Sequence, residues 1–367
     1  SHRMICTQLD NDAIVFGAEE YLREALAPYA AEPPLLLAII SSCAAGLIGD
    51  DIEAIARGAG LSCPIAVLDS SGLSGSFADG WDKAACAVLS AFLPEQRAGQ
   101  ANAVNLIGVT SAYYNGENDA HELMRLLALA GYHVNVALGC DMSAADLSGL
   151  TQAALNIVVH DELGGGAARL LAETCGMPCI APLPPYGRAG TRKWLVEIGR
   201  ALPAPRADAA EEEITRVTRE DFLRINECKS LWGELRYETA LIRAPRSTAW
   251  GIAQALRTEW ADVCHLAVAA DAEGVPTAAP IADEILGETD AVRIRELLNG
   301  LDGGLLIGSS NESAHINPRT AAYFPAAYPV QDVLHLSDAP FMGLRGARHI
   351  EETLWNDRIL RRKILLP

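Results

Sequence analysis

Short apolar runs of strand length recur along this chain. Each closes on small or polar residues and is followed by a segment with helical patterning, and this repeat is what most limits the fold. Leu35-Leu36-Leu37-Ala38-Ile39-Ile40 is the first such run, Ile65-Ala66-Val67-Leu68 the second, and Ala103-Val104-Asn105-Leu106-Ile107-Gly108, the stretch from Leu155 to Val159, and Leu305-Leu306-Ile307-Gly308 follow further on. All are too short to span a bilayer, and apolar runs of this length between helices read as strands buried on both faces. A strand can pair parallel with its neighbour only if a crossover segment carries the chain back, so the alternation predicts parallel sheets covered by helices. The expected architecture is α/β: three Rossmann-like units of mainly parallel sheet over 1–97, 98–203 and 237–345. A charged linking helix is expected over 204–236 and a final helix over 346–367.

The stretch from Leu35 to Ala59 carries the most chemistry. Its apolar run ends in Ser41-Ser42-Cys43, and Asp50 and Asp51 precede a helical pattern that Gly58 and Gly60 terminate. The aspartates are expected to cap free N–H groups, and as neighbours on a helix start they point apart, which disfavours an acid–base pair. Cys43 thus falls just past the carboxyl end of a buried strand, where open α/β sheets place ligands. The thiolate is the form of cysteine that binds metal. The competing reading makes Cys43 a small core residue, as most such cysteines are. The Gly/Ser-rich segment from Ser70 to Ser76 opens a helix and reads either as an anion cradle or as a plain turn.

Composition removes other classes. With 29 Lys plus Arg against 47 Asp plus Glu, the net charge of −18 argues against a nucleic-acid groove. The nine cysteines are scattered without a CxxC pair, which is not a disulfide framework, so a reducing cytoplasm is expected. Ser1-His2-Arg3 ahead of Met4 reads as an appended remnant. Gly164-Gly165-Gly166 lacks the Lys-Ser/Thr of a phosphate loop. Trp250 and Trp260 are expected in the core of one helix from Ser247 to Trp260.

Ser41-Ser42-Cys43-Ala44-Ala45-Gly46-Leu47-Ile48-Gly49-Asp50-Asp51 resembles the loop of nitrogenase component 1 subunits in which a cluster-ligating cysteine precedes a helix start. Asp12 to Glu19, Ser74 to Asp82, Pro185 to Leu195 and Phe341 to Ala347 resemble further segments of that family, which includes cofactor-assembly scaffolds and tetrapyrrole reductases. The resemblance implies three units facing a central cleft lined by Cys43 and the segment from Ser70 to Ser76. It also implies an iron–sulfur centre shared by two chains in a homo- or heterodimer, with electrons supplied by an ATP-dependent iron protein. The acceptor would be a small molecule or a tetrapyrrole. Cys43 is the one ligand that maps cleanly, with Cys6 as a second candidate metal ligand and Ser42, Ser74 and Ser76 as cofactor-binding candidates. The family's upstream ligand cysteines have no counterpart here, and the segment Ala244 to Trp250 holds no cofactor cysteine. His335 and His349 are the nearest matches to a late cofactor histidine, and each is more simply a solvated surface residue. No molybdenum cofactor is therefore expected. A different reading makes the chain a pared-down relative that binds a cluster, a tetrapyrrole or a partner without redox chemistry.

Overall fold

Three parallel sheets follow one another along the chain. The computed structural model describes residues 4–69, 75–92, 99–270, 281–287 and 289–365. The first segment runs α1 (Asn11–Phe16), α2 (Glu19–Leu26), β1 (Leu37–Ser41), α3 (Cys43–Ile48), α4 (Ile52–Gly58), β2 (Ile65–Asp69) and α5 (Phe77–Ala91). Strands β1 and β2 pair in parallel, from Leu37 opposite Ile65 to Ser41 opposite Asp69. A left-handed φ of 100° at Gly17 separates α1 from α2. Asp10 caps α1, its side chain accepting from the Asp12 and Ala13 N–H groups. Each expected aspartate cap serves a separate place: Asp50 accepts from the Ala18 N–H at 2.5 Å and Asp51 from the Ala54 N–H at 2.9 Å.

The second segment contains β3 (Gln100–Ile107), α6 (Gly116–Leu129), β4 (His133–Leu138), β5 (Ala153–Val158), α7 (Asp161–Cys175), β6 (Cys179–Ile180) and α8 (Gly187–Ala201), in the sheet order β4-β3-β5-β6. Between β4 and β5 lies a 3-10 turn over Asp146–Gln152, where Asp146 accepts from the Ser143 N–H at 2.7 Å. The long α9 (Ala207–Trp232) leads to β7 (Arg236–Arg243), α10 (Arg246–Ala255), β8 (Asp262–Ala269), β9 (Glu284–Leu286), α11 (Ala291–Asn299), β10 (Leu305–Gly308), α12 (Ser310–Ser313), β11 (Ala322–Pro325) and α13 (Gly343–Leu365). This third sheet has the order β11-β10-β7-β8-β9. The helix expected to reach Trp260 stops being α-helical at Ala255 and closes with a π turn, Leu256–Trp260.

The apolar runs of the second and third sheets are explained by burial on both faces, whereas the first run departs from that expectation: no residue from Leu35 to Ile40 is buried, and Ile40 is 65% exposed. Val104, Leu106, Ile107, Ile157, Leu266, Val268, Leu305, Leu306 and Ile307 are sealed from solvent, as helix-covered parallel strands require. One hydrophobic core joins the second and third sheets through Trp194, Trp250, Phe324 and Leu344. Polar register marks cross the second sheet. Asn105 donates to the Asn156 side chain at 2.8 Å and to the Leu150 carbonyl at 2.9 Å, while Asn135 donates to the Asn105 side-chain oxygen at 2.9 Å. A one-residue slip would strand these buried amides.

A buried guanidinium ties the segments together. Arg188, on α8, donates to Asp221 of α9 at 2.9 Å, to Glu351 of α13 at 2.7 Å and to Glu259 of the π turn at 3.3 Å. Burial pushes the Glu351 carboxyl up to about 7 against the pull of Arg188. Removing the cation leaves buried carboxyl groups without compensation, so Arg188→Leu is expected to cost about 3–5 kcal/mol in urea unfolding. A carboxyl whose folded value is raised binds its proton more tightly when folded. Its contribution to stability is therefore full below the ordinary carboxylate range and is lost as pH rises through about 7. Glu351→Gln is expected to flatten that decline, read as melting temperature from pH 5 to pH 8 at roughly even steps.

Candidate functional site

The carboxyl ends of the second and third sheets face each other, and between them lies a cavity of about 990 Å³. Most of the lining comes from strand-end loops and helix starts, as expected of ligand sites in open α/β sheets. The segment after β3 supplies Thr110 to Gly116, the turn after β5 supplies His160 and Glu162, the turn after β7 supplies Arg243 to Arg246, and α5 contributes Ser76 and Phe77. The volume lies at the upper end of the usual small-molecule range of about 300–1,000 Å³.

Close backbone approach builds this region. Gly108 ends β3 with a φ of 74°, and a Cβ there would lie 2.5 Å from the His160 carbonyl oxygen. A Cβ on Gly164 would meet Gly108 at 2.7 Å. The neighbouring Gly166 leaves room for Asp82, which accepts from the Gly166 and Ala167 N–H groups at 3.0 and 3.1 Å. The glycine triplet thus serves packing of α7 against β3 and α5. On the opposite wall, buried Asp119 accepts from the Phe341 and Met342 N–H groups at 2.6 and 2.8 Å and so anchors the turn into α13. Burial pushes its carboxyl up to about 7, although these two N–H groups pull the other way.

A hydrogen-bonded side-chain group crosses from the second segment to the third. Ser247 Oγ is 2.7 Å from His160 Nδ1 and 2.8 Å from Glu162 Oε1. Beside it Arg246 pairs with Asp161 at 2.7 Å. Burial lowers the pKa of His160, and Glu162 offsets part of that shift. Tyr113 stands edge-on to the His160 ring with centroids 5.1 Å apart. Sequence reasoning missed His160, Glu162 and Ser247. Their signal was positional, since His160 and Glu162 follow one strand end and Ser247 follows another.

The residues expected to form a site are placed as follows. Ser42 is the N-cap of α3, accepting from the Ala45 N–H at 3.3 Å, and Cys43 is the exposed first residue of that helix. Its exposure excludes the reading as a small core residue. Neither residue lines the cavity, so the expected shared lining of the cleft by Cys43 and the segment from Ser70 to Ser76 is corrected: of the latter's described residues, Ser76 lines it. Ser76 forms a reciprocal cap with Asp79. Ser74 lies outside the described residues, and Cys6 is exposed. Among the described residues no three His, Cys, Asp or Glu side chains are grouped to hold a metal ion. His335 and His349 are half-buried rather than fully solvated. Their rings lie 5.3 Å apart, and His349 stacks on Phe341, a cavity residue, at 5.8 Å. Among the described residues no helix is long and apolar enough to cross a membrane.

Solved structures of similar shape have low sequence identity. A chain described as nitrogenase Cp1 at pH 6.5 superposes with a TM-score of 0.78 at 15% identity, covering 98% of this chain and 83% of that one. A second, nitrogenase Cp1 at pH 5, gives 0.72 at 19% identity over 98% and 78%. Among curated proteins, a light-independent protochlorophyllide reductase subunit of Methylobacterium sp. (strain 4-46) is 26% identical over 92% of this chain and 67% of its own length. The corresponding protein of Prosthecochloris aestuarii is 29% identical over 45% of this chain and 31% of its own. With that second relative the match spans about a third of the relative's length. The family model described as nitrogenase component 1 type oxidoreductase matches residues 1–357. The chain belongs to the nitrogenase component 1 type oxidoreductase family.

Proposed function

We propose that this chain is one subunit of a nitrogenase-like oxidoreductase in a reducing cytoplasm. It receives electrons from an ATP-dependent iron protein through an iron–sulfur centre at Cys43 and delivers them to a tetrapyrrole or other small-molecule acceptor. The observation that carries the reading is the family match across residues 1–357 combined with the exposed position of Cys43 beyond the end of β1. An iron–sulfur cluster is held by several thiolates. Cys43, even with Cys6, does not complete such a set, so one chain by itself does not fit a whole cluster. A second chain would supply the remaining ligands.

The surface around the first sheet supports pairing. Ile40 on β1 is 65% exposed, and Phe16, Leu35 and Phe77 are also exposed. Apolar exposure of this kind in one segment marks an interaction face. Replacing Ile40 by Asp would set a charge into that contact. Ile40→Asp is expected to weaken self-association, or pairing with a related chain, at least about tenfold, read by sedimentation.

Iron and sulfide analysis after anaerobic purification tests the redox reading directly. Iron is expected in fixed proportion to protein in the unaltered chain, falling to about a tenth or less in Cys43→Ala, since a lost thiolate ligand leaves the cluster unsupported. Cys6→Ala reports whether the second thiol contributes. An iron-free preparation that still binds a tetrapyrrole would instead support a binding or scaffold role.

A further inference from the structure

Among the described residues the first sheet has only two strands, and β1 is left with an open edge. The alternation of the strand says what that edge carries. The Leu37 N–H donates to the Pro64 carbonyl at 3.0 Å, with Leu37 in register with Ile65. The odd-numbered residues of β1 therefore turn their backbone polar groups toward β2, and Ala38 and Ile40 turn theirs the other way. No described strand lies on that side. Native proteins shield such an edge with charge, proline, a bulge or a covering element. From Leu35 to Gly49 there is no charged side chain and no proline, and the pairing of β1 with β2 runs without a register shift. Helix α5 supports chiefly β2, and Ile40 on β1 is 65% exposed.

We infer that β1 pairs antiparallel with β1 of a second copy of this chain across a twofold axis, joining the two small sheets into one with the order β2-β1-β1-β2. The inference rests on the proposed pairing through the surface around the first sheet, and deepens it by naming the partner and the mode. The strand itself sets the match. An axis at Ile39 puts Ala38 of each copy opposite Ile40 of the other. Both pairs are then hydrogen-bonded, and the outward N–H and C=O groups of Ala38 and Ile40 all find partners. The two Ile39 residues face each other as a non-hydrogen-bonded pair, with Cα atoms about 4.5 Å apart. Charge favours a self-contact at this place. Two chains of net charge −18 repel each other, and β1 lets them meet without setting like charges opposite one another. Cys43 lies beyond the paired residues, so the contact does not require a cluster.

Two variants of the full chain test this. Ala38→Pro deletes an outward N–H that β2 does not use, and proline is tolerated on an edge strand of this kind, so the chain's own ladder is kept. It is expected to weaken self-association at least about tenfold in sedimentation, since each copy loses a donor to the other. Ile39→Cys is expected to form a disulfide-linked dimer on mild oxidation, because the facing Cα separation lies within the disulfide range of about 4.4–6.8 Å. Ile40→Cys, whose two copies are offset along the ladder, is expected to stay at the level of the unaltered chain, where the nine native cysteines set the background. Ile39→Cys cross-linked no more than Ile40→Cys, or Ala38→Pro associating as tightly as the unaltered chain, overturns the strand pairing. Should Ala38→Pro fail to fold, the cross-linking comparison decides. Association lost in Ile40→Asp with no Ile39→Cys cross-link removes the strand edge and leaves the surface, whereas a chain that is monomeric at every concentration removes both.

Discussion

A single buried charge sets the geometry on which the cavity depends. Arg188 reaches α9, α13 and the π turn from α8, so one guanidinium holds the connecting helix, the last helix and the third sheet's first crossover against the second segment. Its planar fork can serve several carboxyl groups at once, which an ammonium could not do with the same directionality. Burying such a cluster is costly, and hydrophobic packing could replace it without loss of stability. What packing alone would not supply is a fixed relative position. The π turn exists where Glu259 must reach both Arg188 and the Ala189 N–H, at 3.3 and 3.1 Å. A Cβ on Gly187 would collide with Glu259 Oε1, so the helix start and the carboxyl share one space. The irregular helix end, the glycine and the arginine are one device.

A second device works at the cavity itself. β3 can approach α7 only because Gly108 and Gly164 both lack side chains, and that approach brings His160 and Glu162 beside Ser247. The opposite wall is drawn in by Asp119, whose carboxyl gathers two backbone N–H groups ahead of α13. Gly343 leaves the space that Glu122 fills at that turn, where a Cβ would stand 2.5 Å from Glu122 Cγ. The segment from Phe341 to Ala347 that resembles a family motif therefore has a structural cause. Gly343 admits Glu122 from α6, and Gly346 admits the Phe341 backbone, where a Cβ would stand 2.2 Å from the carbonyl carbon.

Fold class was legible because parallel strands covered on both faces must be apolar throughout, and Leu305-Leu306-Ile307 or Leu106-Ile107 show that directly. Local departures were not legible. The break at Gly17 and the π turn at Leu256 follow from partners far along the chain, Asp50 in one case and Arg188 in the other. The candidate site was legible only in part. Cys43 stood out because it interrupts a recognisable loop, but its chemistry depends on what lies across an exposed surface. Glu162 carries no local signature, since an acidic residue in the first turn of a helix is ordinary. Its distinction comes from Ser247, 85 residues away.

The separation between Cys43 and the cavity lining bears on how such a chain is organised. Cys43 is exposed at the edge of the two-stranded first sheet, whereas the cavity is enclosed by the ends of the other two and touched from the first segment by Ser76, Phe77 and Ala78. Helix α5, which begins at those residues, packs on β2 and on α7, the helix that carries Glu162. It thus contacts both the first sheet and the helix behind the cavity wall. Asp82 fixes it to α7 through the Gly166 and Ala167 N–H groups, and burial raises that carboxyl above its ordinary range. A displacement of the first sheet would be carried by α5 to Ser76, Phe77 and Ala78 in the cavity wall, because a closely packed helix moves as a unit and its glycine-bedded contact leaves little slack.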